Sequence, residues 1–172
     1  TDDINQVNRK GALEARIEIV RIQLICLGSL KEPYLRRAQD ELLGLIARNT
    51  RVTGITVTEI REEPLREMAP PSLIEAALRI EGERILEKLP PRARIVCLDL
   101  DGKTATSAFF RGLPGELERT ATDELVFLIG GSNGLDPAIK DKAHHRIAFS
   151  GLTFPHQLFR IALLQAIAAE LP

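Results

Sequence analysis

The sequence predicts an α/β fold in which helices cover both faces of a mostly parallel sheet. Three observations support this. Short apolar runs rich in β-branched residues alternate with segments of helical spacing, the signature of strand–helix units. Glycine, aspartate or proline punctuates the ends of these runs. Finally, residues 125–134 read L-V-F-L-I-G-G-S-N-G and residues 152–160 read L-T-F-P-H-Q-L-F-R. Each of these two segments delivers a chain turn where a ligand can approach the backbone, and two such turns can form one pocket.

Residues 17–27 (I-E-I-V-R-I-Q-L-I-C-L) form the first strand, which Gly28 and Ser29 end. Residues 34–48 place Leu35, Ala38, Leu42, Leu45 and Ile46 on one helical face after Pro33. Residues 52–60 alternate as a strand, and Pro64, Pro70 and Pro71 punctuate the loop that follows. Ser72 is the expected N-cap of a helix running to Leu89, stopped by Pro90 and Pro91. Residues 93–100 form a strand ending at Asp101-Gly102-Lys103, and residues 107–120 a helix interrupted near Gly112 to Gly115. Residues 124–129 are the strand before the glycine turn. Asp136 and Pro137 open a further helix as N-cap and N1. A short strand at 146–149 and a closing helix from Pro155 through Leu171 complete the chain. Leu158, Ile161, Ala162, Gln165, Ala166 and Ala169 make that helix's largely apolar stripe, a surface suited to a second copy of the chain.

The 172 residues suit one domain, assigned to residues 16–172, with residues 1–15 as a polar extension outside the fold. Hydrophobic residues make up 44% and charged ones 27%, an ordinary globular profile. The net charge of −1 provides no overall basic field for nucleic acid, although 23 lysines and arginines could form a local patch. Cys26 and Cys97 lie in strand-like runs as small hydrophobes. Two cysteines make neither a disulfide framework nor a zinc site, and they suit a reducing cytoplasm. No stretch reaches the roughly 18 apolar residues of a membrane span, and no Cys/His/Asp cluster has metal-ligand spacing.

Gly130, Gly131 and Gly134 have the spacing G-G-x-x-G after a late strand, not the dinucleotide fingerprint, and no P-loop motif occurs. Spacing leaves a ligand-contacting loop and a plain tight turn both open. His144 and His145 are expected at the carboxyl end of a helix, where a cation suits the dipole. His156 follows Pro155 at a helix start, and Arg160 lies one turn on, so the two can act on one anionic group. A structural role for this pair stays open beside a catalytic one. Gly82 inside a helix implies either a crowding neighbour or a tolerated loss.

Five segments, in order, carry a family resemblance: I-Q-L-I-C-L-G at 22–28, I-E-G-E-R-I-L at 80–86, L-D-L-D-G-K at 98–103, F-L-I-G-G-S-N-G-L at 127–135 and L-T-F-P-H-Q-L-F-R at 152–160. Over about residues 21–170 the chain resembles the ribosomal large subunit pseudouridine N3-methyltransferases of the SPOUT superfamily, the RlmH family. The resemblance implies a carboxyl-terminal deep trefoil knot, a rare exception to the rule against knotted chains. It also implies a homodimer and S-adenosylmethionine as cofactor. The cofactor contacts it implies are Leu98, Leu100, Gly130, Gly131, Ser150, Gly151, Leu152, Thr153, Phe154 and Pro155. The implied substrate is a pseudouridine of large-subunit rRNA within the ribosome, with His156 and Arg160 as catalytic candidates.

The family's last helix continues into a tail with a Pro-Tyr-His motif, whereas this sequence stops at Leu171-Pro172. Two other readings stand beside the methyltransferase: a knotted dimer that binds cofactor or RNA without transferring methyl, motivated by the absent tail, and a metabolic enzyme that uses the glycine turn for a nucleotide phosphate.

Overall fold

A computed structural model describes residues 20–152 and 154–171. The proposed extension at 1–15, the start of the first expected strand and Thr153 lie outside the described residues. In chain order the elements are β1 (Val20–Leu27), α1 (Pro33–Ala47), β2 (Val52–Ile60), α2 (Pro71–Leu86), β3 (Arg94–Thr104), α3 (Ser107–Arg119), β4 (Glu124–Ile129), α4 (Pro137–Lys142), β5 (His145–Ala148) and α5 (His156–Glu170). The expected alternation is present.

All strand pairs are parallel, in the order β2-β1-β4-β3-β5. Successive side chains of a strand point to opposite faces, so a strand covered on both sides is apolar throughout. β4 beyond Glu124 and the second half of β1 show this directly. Ile22, Leu24 and Cys26, with Leu125, Phe127 and Ile129, pack against Leu42, Phe110, Leu113, Leu163 and Ile167 of α1, α3 and α5. Ile25, Leu27, Val126 and Leu128 face the other way, into a second core containing Ile85 of α2 and Ile139 of α4.

Four expectations need correction. The N-cap of α2 is Pro70, which leaves Ser72 inside the first turn with Pro71 already at N1. Prolines tolerate that position because the missing N–H has no helical acceptor there. Helix α3 runs uninterrupted through Gly112, Pro114 and Gly115, because Phe110, Leu113, Pro114 and Leu117 form its buried face and core packing outweighs weak propensity. His145 lies in β5 and His144 in the turn before it. The Nδ1 of His144 accepts the Ile95 N–H at 2.9 Å, and His145 sits 2.8 Å from the Glu116 carboxylate, so neither caps a helix.

The fourth concerns β3, which continues past Leu100. Leu98 and Lys103 both pair with Ile147, so residues 99–102 bulge out of the ladder. A Cβ on Gly102 would stand 2.6 Å from the Arg146 and Ile147 backbone, which explains the glycine at that crossing. Gly82 has a similar origin. A Cβ there would press on the side chain of Asp136 at 3.1 Å. Asp136 is the expected N-cap of α4 and accepts the Ala138 N–H at 2.7 Å.

Candidate functional site

The chain leaves β1 toward β2 on one side and β4 toward β5 on the other, yet β1 and β4 are neighbours. Such a reversal opens a crevice at the carboxyl ends of the strands. Two cavities occupy this end of the sheet.

The first cavity, about 740 Å³, is lined by Leu98 to Asp101 of the β3 bulge, Ile129 to Leu135 after β4, Ile147 to Phe149, and Phe154 to His156. The glycine turn and the loop before α5 thus share one pocket, as the two chain turns suggest. The turn is also a genuine tight turn: the Gly134 N–H donates to the Gly131 carbonyl at 3.0 Å, and Gly134 takes a φ of +82°. A Cβ on Gly130 would meet the Gly134 backbone at 2.5 Å, so closure of the turn itself requires that glycine.

The second cavity, about 720 Å³, lies on the other side of the switch point. Its walls come from Gly28, Ser29 and Lys31 after β1 and the loop after β2, including Arg61, Glu62 and Arg66. Ser132, Asn133 and His156 line both cavities and mark the boundary between them.

Of the expected contacts, Leu98, Leu100, Gly130, Gly131, Phe154 and Pro155 line the first cavity. Ser150, Gly151 and Leu152 do not. The Ser150 hydroxyl instead accepts the Leu152 N–H at 2.9 Å and shapes the loop, while Leu152 is exposed.

The structure does not bring His156 and Arg160 to one anion. Arg160 is 1% exposed and lines neither cavity. Its guanidinium binds Glu59 at 2.5 Å, the Gly28 carbonyl at 3.0 Å and the Gln39 side chain at 3.3 Å. The anion beside His156 is Glu62, with Nε2 3.6 Å from Oε1. Both residues share a helical face, but α5 packs on the sheet so that the second turn is buried while the first opens on the cavities.

Two charged features lie beyond the candidate site residues that the sequence singles out. Asp99, in the bulge, is held by Lys140 at 3.0 Å and by Arg146 at 2.6 Å. Burial alone would raise its carboxyl pKa, but the hydrogen bonds from Lys140 and Arg146 outweigh that and hold it below the usual range. An acidic residue inside the apolar run I-V-C-L-D-L was the available signal. Glu62 is the other. Its carboxylate faces the Ser132 N–H and hydroxyl at 3.4 and 3.5 Å, and its position at the carboxyl end of a parallel strand was the only hint.

Among the described residues no His/Cys/Asp/Glu group could hold a metal ion, and no helix is long and apolar enough to cross a membrane.

The family model described as "Predicted SPOUT methyltransferase" matches residues 20–167. Curated relatives named "Ribosomal RNA large subunit methyltransferase H" are similar over most of their length. The one from Desulforamulus reducens is 36% identical over 87% of this chain and 91% of the relative. The corresponding protein of Caldicellulosiruptor saccharolyticus is 38% identical over 85% and 90%, and that of Bifidobacterium animalis subsp. lactis is 37% identical over 86% and 91%. The matched span contains every strand of the sheet and both late turns, and the chain belongs to the SPOUT methyltransferase family, within the group whose curated members carry the large-subunit methyltransferase H name.

Proposed function

We propose that this chain is an S-adenosylmethionine-dependent methyltransferase acting on N3 of a pseudouridine in large-subunit rRNA within the ribosome. The observation that carries this reading is the pair of cavities meeting at Ser132, Asn133 and His156. One compartment can take a cofactor and the other a base, with the reacting atoms at the shared boundary.

The first cavity suits the cofactor. Its volume is in the range of small-molecule sites. Leu98, Ile129, Leu135 and Phe149 offer apolar walls for a flat heteroaromatic base, and residues 130–134 offer main chain for hydrogen bonding. Asp99 and Lys140 give it charged groups as well. When bound, the cofactor supplies an activated methyl on a sulfonium. The protein's part is chiefly positioning: the rigid turn at Gly130 and Gly134 and the buried strands beneath it hold both partners in line.

A carboxyl-terminal trefoil knot and a homodimer belong to this proposal. The return of the chain after β5 into α5, which packs back on α1, is compatible with the knot. On α5, Leu163, Leu164 and Ile167 face the core, while Leu158, Ala162, Gln165 and Ala169 are exposed. Leu100 and Phe154, which line the first cavity, and Leu152 add further exposed apolar surface. A second copy of the chain would cover these residues.

Calorimetry with S-adenosylmethionine, followed by transfer of labelled methyl to ribosomes lacking the modification, tests the reading. The expected result is cofactor binding and one methyl per ribosome at a pseudouridine. Binding of nucleotide phosphates in preference to S-adenosylmethionine would overturn it.

A further inference from the structure

Glu62 occupies space that two glycines leave open. A Cβ on Gly131 would lie 2.6 Å from its carboxyl carbon, and a Cβ on Gly28, whose φ is +78°, would collide with its Oε1. The same Cβ on Gly28 would come within 3.5 Å of His156 Nε2. Residues from three separate strand ends therefore converge on one carboxylate and one imidazole. The pair stands where the two cavities meet, with side-chain exposures of 25% for His156 and 30% for Glu62. Arg160 is occupied by Glu59 and does not compete for this carboxylate.

The separation of 3.6 Å is an ion-pair distance and too long for a good hydrogen bond. With a neutral imidazole such a contact contributes modestly, favouring the tautomer whose N–H faces the carboxylate, and with an imidazolium it contributes much more. That is the property wanted beside a general base, whose partner should favour the protonated product over the neutral reactant.

We infer that His156 and Glu62 form a proton-accepting dyad at the boundary of the two cavities, with His156 the catalytic base and Glu62 its positioning residue. This rests on the methyl-transfer reading above. Glu62 favours the tautomer with the proton on Nε2, which leaves the lone pair on Nδ1. The N3–H proton of the acceptor base passes to Nδ1. The N3 electron pair forms the new N–C bond as the S–C bond breaks, and that bonding pair stays on sulfur. Glu62 remains an anion throughout and balances the imidazolium until its proton leaves through the open polar cavity.

The test uses the full chain with Glu62→Gln, Glu62→Asp, His156→Asn and the double variant Glu62→Gln/His156→Asn. Single-turnover methyl transfer to ribosomes lacking the modification should fall about a hundredfold in Glu62→Gln and at least as far in His156→Asn. Glu62→Asp should recover part of the loss. The double variant should be no worse than His156→Asn alone, because the two residues act as a unit. Affinity for S-adenosylmethionine by calorimetry and the melting temperature should change little. Imidazole ¹⁵N NMR without cofactor supplies a readout independent of activity: the fraction of neutral His156 in the Nε2–H tautomer should be higher in the parent than in Glu62→Gln. Full transfer by Glu62→Gln, multiplicative losses in the double variant, or an unchanged tautomer balance would each overturn the dyad alone. Parent protein that binds the cofactor but transfers no methyl would overturn the dyad together with the reading beneath it.

Discussion

Arg160 Nη1 lies 2.5 Å from Glu59 Oε1, joining the second turn of α5 to the end of β2 from a position where the arginine is 1% exposed. The two partners are not equivalent. The Glu59 side chain keeps 41% exposure and the Arg160 side chain 2%.

Removing Glu59 strands a buried guanidinium with only the Gly28 carbonyl and Gln39 as partners. Glu59→Ala should therefore cost about 3 kcal/mol, the lower end of the range for breaking a buried pair. Arg160→Met keeps apolar volume and leaves a carboxylate that water can reach, and should cost about 1–2 kcal/mol. Urea unfolding of both variants checks the order.

Gly130 and Gly131 should respond differently to alanine. At Gly130 the new methyl meets immovable Gly134 backbone, whereas at Gly131 it meets the movable Glu62 side chain. Gly130→Ala should lower the melting temperature and weaken S-adenosylmethionine binding at least tenfold, about 1.4 kcal/mol. Gly131→Ala should retain near-parent stability. Larger Gly131→Val should also bind the cofactor at least tenfold more weakly, because it narrows the cavity. Differential scanning fluorimetry and calorimetry report the two effects separately.

The Asp99 cluster should make the protein acid-sensitive. The folded-state pKa of Asp99 is lowered relative to the unfolded chain, so its contribution to stability is present above the ordinary carboxylate range and is lost as pH falls through the folded value. Glu116, whose burial penalty is outweighed by hydrogen bonds from His145 and Arg94, adds a loss of the same sign. Burial also lowers the His144 pKa, so unfolding free energy should begin to decline gently below about pH 6.5 and fall more steeply through the carboxylate range. Asp99→Asn should reduce that slope without abolishing it, as urea titrations at several pH values would show.

Both thiols should be inert in the folded protein. Burial pushes Cys26 and Cys97 up to about 12, so almost no thiolate forms at pH 8, and both are 0% exposed. Ellman's reagent should find no reactive thiol in the native protein over minutes and two per chain in denaturant.

The closing helix should mediate self-association. Leu158→Glu places a charge on its exposed face, away from Leu163, Leu164 and Ile167. Light scattering should give twice the chain mass for the parent at micromolar concentration and a monomer for the variant, with the melting temperature of the folded chain reporting any wider damage.

The sequence by itself determined the strand–helix alternation, the N-cap at Asp136 and a glycine-marked chain reversal after β4. Periodicity, capping and turn chemistry are set by neighbours in the chain, and a single sequence carries them. It also carried the convergence of two late turns, because in a parallel sheet strand ends gather on one side. Only the tertiary structure decided which anion each cation meets. Arg160 finds Glu59, His156 finds Glu62, and Lys140 and Arg146 find Asp99, each across crossovers that separate the partners widely in sequence. It also decided that His145 belongs to β5 and that β3 bulges at residues 99–102, because strand register depends on the neighbouring strand. Helical spacing placed His156 and Arg160 on one face, but the docking of α5 on the sheet buried one and opened the other.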